Sequence, residues 1–90
     1  MAKVVITLKA NLDPDSDIEN IKEEANNRIE EFGGEVGKVE VEEIAFGLKA
    51  VNFVFILDES KGSTESLEND IASIEGVSSV EITDVRRTIG

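Results

Sequence analysis

The chain has 90 residues, 20 acidic against nine basic side chains, a formal charge of −11, and neither cysteine nor histidine. That length allows one domain with a modest core, and the missing residue types argue against disulfides, thiolate metal sites, zinc chemistry and hydrolase triads. The charge opposes nucleic acid and anionic lipid as direct ligands and favours a basic protein partner, although a halophilic or thermophilic source would also produce such a surface.

Lys3–Lys9 alternates loosely, with Val4, Ile6 and Leu8 on one side, and predicts a strand with one face more strongly buried. Asn11-Leu12-Asp13-Pro14-Asp15-Ser16 predicts a turn. Ser16 and Glu19 have capping-box spacing, and Ile18, Ile21, Ala25, Ile29 and Phe32 then recur with helical period until Gly33-Gly34. Asp13, Asp15, Asp17 and Glu24 match four positions of a calcium loop, but Ile18 stands where that loop needs glycine. Acidic residues around a first helical turn also complement the helix dipole, so no metal site is expected here.

Glu35–Glu43 alternates Val39 and Val41 with charge and predicts an edge strand. Phe46-Gly47 forms a turn into Lys49–Leu57, the longest apolar run, which predicts a strand buried on both faces. Phe46 on that turn reads either as a recognition element or as an aromatic folded back under its own hairpin. Asp58–Gly62 predicts a loop. Ser63 or Thr64 can cap a second helix carrying Leu67, Ile71 and Ile74, with Gly76 ending it. Val77–Thr83 predicts a last strand, with Asp84–Gly90 as a tail beyond it.

The order is β-α-β-β-α-β. Two helical crossovers in one sheet lead to an α+β, ferredoxin-like sandwich: four strands ordered 4-1-3-2, antiparallel to their neighbours, with both helices on one face. The first and third strands should be central. The other face should be open except for residues such as Val5, Val54 and Ile56.

Among the nine basic residues, Lys49 follows the Phe46 turn, and Arg86-Arg87 stand together near the end of an acidic chain. Such a pair is either a solvated end or a bidentate reader of phosphate or carboxylate. No phosphate-cradling glycine motif is present, and with charge so abundant no carboxylate pair identifies an acid–base site. An enzyme is not expected.

At Ile44-Ala45-Phe46-Gly47-Leu48 and at Val80–Arg87, and again at Ile74-Glu75-Gly76-Val77, the chain resembles archaeal translation elongation factor 1-beta. That family consists of guanine-nucleotide exchange factors for elongation factor 1-alpha, and the resemblance covers the whole chain. It implies a ferredoxin-like fold, a single exchange domain over 1–90, and a cytoplasmic protein in which a monomer is favoured. It implies one partner, elongation factor 1-alpha, with no cofactor or metal of its own, no direct nucleic acid and no membrane. The implied partner-binding residues are Phe46, Gly47, Lys49, Asp84, Arg86 and Arg87. The turn aromatic of the family contacts the partner's second domain, a role that falls on Phe46. Its C-terminal segment reaches toward the magnesium and phosphate region through a Gln-Lys pair in eukaryotic relatives. Arg86-Arg87 occupy that place here, and Arg is not a neutral replacement for Lys. The rival readings are an RNA-binding module or a small-molecule regulatory domain of the ACT type on the same fold. The first strand has no aromatic to stack a base, and the charge is wrong for RNA.

Overall fold

Period-two burial in two of the strands decides the architecture. In the computed structural model, which describes residues 2–61 and 63–88, β1 (Lys3–Leu12) buries Ile6, Leu8, Ala10 and Leu12. β3 (Leu48–Asp58) buries Val51, Phe53, Phe55 and Leu57. Their register places Leu8 opposite Phe53 and Ile6 opposite Phe55, so both inner rows point to one face. β2 (Glu35–Ala45) and β4 (Val77–Thr88) flank them. The sheet order β2-β3-β1-β4, every neighbour antiparallel, is the ferredoxin-like arrangement read from the element order. β1 and β3 are central, as expected.

The helices α1 (Ile18–Phe32) and α2 (Glu65–Ala72) cover the inner row. Ile21, Ala25 and Ile29 of α1 and Leu67 and Ile71 of α2, with Ile74 just after it, close the core. Arg28 of α1 pairs with Asp70 of α2 at the surface between them. On the other face Val5, Val54 and Ile56 are only half-buried, so β3 is not buried on both faces as its apolar run suggested: the helices cover one side of the sheet and, among the described residues, nothing packs on the other.

Several boundaries differ from the sequence reading. β1 runs on through Asn11 and Leu12, because Leu12 continues the buried row. The α1 N-cap is Asp17, whose carboxylate accepts from the Asn20 N–H at 3.2 Å. Ser16 is unavailable for that role, since its hydroxyl donates to the Asp13 carbonyl at 2.6 Å within the turn. Gly33 does end α1, in a left-handed conformation with φ of 106°. At α2, Ser63 Oγ accepts from the Glu65 N–H, whereas the Thr64 hydroxyl donates to Glu68. That helix stops at Ala72 rather than at Gly76.

Two corrections bear on the site. The expected loop after β3 contains a 3-10 turn, Glu59–Lys61, labelled η1. And β4 does not end at Thr83: it continues to Thr88 with a bulge at Thr83, so Asp84, Arg86 and Arg87 pair with Thr7, Val5 and Val4 of β1. The arginines are strand residues, held by a backbone ladder. Gly62 of the expected loop and Ile89-Gly90 of the expected tail lie outside the described residues.

Candidate interaction sites at the two ends of the sheet

Ala45 pairs with Leu48, which leaves Phe46-Gly47 as a two-residue hairpin connection. Both residues have positive φ, 51° and 79°. A two-residue turn of this hand suits the twist of the flanking strands and normally uses Asn, Asp or Gly at its first position. Gly47 meets that demand; Phe46 does not, and a bulky residue held there costs about 1–3 kcal/mol. The side chain recovers nothing by packing, because Phe46 is 101% exposed relative to an open chain. The alternative of a ring folded under its own hairpin is excluded.

The sheet explains that exposure. Leu12, the last residue of β1, pairs with Lys49, so everything from Ile44 to Leu48 overhangs the sheet with no third strand beside it. Ile44 and Leu48 are exposed as well and flank Phe46, making an apolar tip around a cleft of about 270 Å³. Lys49 is half-buried at its base. The sequence reading singled out Phe46, Gly47 and Lys49; Ile44 and Leu48 stood in the same motif but were not named as contact residues.

The other candidates lie elsewhere. Val4, the register partner of Arg87, also pairs with Leu57, and Leu57 lies eight residue steps along β3 from Lys49. At an ordinary strand rise this is about 27 Å, in a molecule whose longest extent is 42 Å. The six candidates therefore form two groups, one at the hairpin end and one toward the other end, where Asp84 pairs with Thr7 near mid-sheet and Arg86 and Arg87 lie farther out.

Neighbouring residues of a strand point to opposite faces. Arg86 pairs with Val5 and so projects from the open face, where its Nε donates to Asp84 at 2.8 Å. Arg87 projects from the helix face and donates to the Glu59 carboxylate of η1. Val85, two residues before Arg87 on the same face, is exposed.

Asp58 opens the turn that presents Glu59. Its carboxylate accepts from the Ser60 N–H at 2.9 Å, and this bond, then the Ser60 side chain and the Lys3 ammonium, hold it below the ordinary carboxylate value against a smaller cost of desolvation. A depressed carboxylate contributes stability above its unfolded value and loses it as pH falls through the folded one. Asp58→Ala is thus expected to lower the urea midpoint slightly at neutral pH, with the gap to the parent closing in acid. Equal gaps at pH 7 and at pH 3 would contradict this role. Among the described residues no three acidic side chains converge as a metal cluster, and no helix is long and apolar enough to cross a membrane.

The sheet thus carries an exposed apolar hairpin tip at one end and two arginines, each paired with a carboxylate, toward the other. The chain belongs to the EF-1 guanine nucleotide exchange domain family, whose pattern matches residues 4–88. It is 46% identical over 88 residues to elongation factor 1-beta of Methanothermobacter thermautotrophicus, covering 97% of this chain and 98% of that one. The corresponding proteins of Staphylothermus marinus and Halobacterium salinarum are 43% and 32% identical, each over 97% of this chain and 98% and 99% of theirs. Its function is guanine-nucleotide exchange in translation elongation. Solved structures of like shape include the designed protein Foldit4, with TM-score 0.67, 16% identity and 98% of each chain covered. The ACT domain from GTP pyrophosphokinase of Chlorobium tepidum has TM-score 0.64 at 13% identity, over 90% of this chain and 99% of that one. At such identities the likeness extends to the fold alone, so the ACT-type reading gains no functional support from it.

Proposed function

We propose that the 90 residues act as one exchange unit on elongation factor 1-alpha, in the cytoplasm, as a monomer. The unit works by binding linkage without bond chemistry and needs no metal or cofactor of its own. The observation that carries this reading is Phe46, an aromatic ring kept fully in solvent on a strained turn, where it serves the fold in no way. Conformational strain and lost burial at one residue are accounted for if that ring is completed by a partner.

In this reading the hairpin tip, with Phe46, Gly47 and Lys49, docks the partner's second domain. The far end of β4, with Asp84, Arg86 and Arg87, addresses the magnesium and phosphate region of its nucleotide domain. The separation of the two groups along the sheet supports a partner that offers two contact regions. The factor binds the nucleotide-free partner more tightly than the GDP-bound one, and by reciprocity weakens GDP binding by the same ratio. A guanidinium that meets anionic oxygens only as the nucleotide leaves supplies that difference.

Stopped-flow release of a fluorescent GDP analogue from elongation factor 1-alpha tests the proposal. The release rate should rise with the concentration of this chain and reach a plateau. A rate independent of that concentration would refute it.

A further inference from the structure

We infer that Glu59 is a positioning residue for Arg87, holding the guanidinium by one amino group and leaving its other N–H groups directed at the partner's anionic oxygens. This rests on the reading of Arg87 given above and adds a second residue to it.

Glu59 is itself well fixed. It follows Leu57 and Asp58, the last residues of a central strand, and Leu57 is buried. Its N–H donates to the Ala2 carbonyl at 3.1 Å, and the Asp58 carboxylate pins the next turn residue. Lys61, at the end of η1, lies across Gly33: a Cβ built there would fall 2.6 Å from Lys61 Cε. Since α1 has no basic residue in its last turn, Lys61 supplies the cation that the C-terminal end of the helix dipole favours. One short turn thus ties together the chain start, the end of β3 and the end of α1.

Arg87 joins that node through a single amino group, Nη2, donating to Glu59 Oε1. A guanidinium carries five N–H donors in a fixed fork, so most of them stay available for phosphate or carboxylate oxygens. Arg87 is 69% exposed and Glu59 42% at the side chain, and a pair so open to water contributes little to folding. It does restrict an otherwise mobile side chain, which is the cost that preorganisation removes. Arg86 has no such tie: its partner Asp84 lies two residues away on the same strand.

The test compares Glu59→Gln, Glu59→Ala and Arg87→Ala in GDP release from elongation factor 1-alpha, across factor concentrations, with thermal melts of each variant. Both Glu59 variants should lower the plateau about threefold, within the range of an exposed pair, with the half-saturating concentration and the melting temperature unchanged. Combined with Arg87→Ala, Glu59→Ala should add nothing further. An Arg87 Nη–H resonance resolved by the Glu59 contact in the parent should collapse into the averaged guanidinium signal in Glu59→Ala. A wild-type or raised plateau in the Glu59 variants, while Arg87→Ala lowers it, would overturn the inference and leave the reading of Arg87 standing. A wild-type plateau in Arg87→Ala would overturn both. A Glu59 variant with a markedly lower melting temperature would assign Glu59 to the fold instead.

Discussion

Replacing Phe46 by asparagine is expected to stabilise the protein and weaken its docking in one step. Asparagine accepts the left-handed conformation that the first turn position demands, whereas phenylalanine is forced into it at φ of 51°. Relief of about 1 kcal/mol should raise the melting temperature by about 4–8 °C for a domain of this size. Docking should suffer in the opposite sense, because a desolvated aromatic anchor commonly costs about 2 kcal/mol or more on truncation. That corresponds to a rise of about thirtyfold in the half-saturating concentration for GDP release. Phe46→Ala should show the same loss, recovered at high factor concentration. An unchanged half-saturating concentration in both variants would remove Phe46 from the interface, and a fall in melting temperature for Phe46→Asn would refute the strain argument.

Arg87→Ala is expected to act on the other kinetic parameter. If its guanidinium engages anionic oxygens only in the state where nucleotide departs, its loss lowers the maximal release rate even at saturation. A hydrogen bond to a charged group is worth about 1.5–3 kcal/mol, so the plateau should fall about tenfold or more. Arg86→Ala, on the opposite face of β4, should have the smaller effect. The double variant measures any coupling between these adjacent residues. Melting temperatures should change little, since both ion pairs are exposed. If the double variant reaches the parental plateau, the exchange element lies elsewhere.

What could be read from the chain beforehand was whatever had a period. Ile21, Ala25 and Ile29 on one side of α1 carry their burial in their spacing, whereas Phe53 and Phe55 lie in an unbroken apolar run that marks a central strand without saying which of its faces the helices cover. From those two elements and their order the sheet follows. The second half of β4 was not legible, because Asp84-Val85-Arg86-Arg87 places charge on both faces, and only β1 beside it reveals a strand. The capping exchange between Ser16 and Asp17 was hidden for another reason: either side chain can cap, and the choice depended on which carbonyl the serine could reach. At the site, Phe46 could be suspected from residue type, but its exposure depends on β1 ending opposite Lys49, a matter of register. The contact between Arg87 and Glu59 spans 28 residues and leaves no local trace.

The proposed roles of the overhanging hairpin and the far end of β4 also bear on how such a factor would leave. If both ends bind as proposed, two small patches about 27 Å apart along a stiff sheet would let go stepwise, one end releasing while the other still tethers. The freed end then competes for its patch at a high effective concentration, so modest affinity at each end gives strong retention. An incoming nucleotide that occupied the site one end had held would remove that advantage and leave a single contact to delay departure. A rigid bar gripping at each end would therefore combine firm capture with prompt release once nucleotide returns.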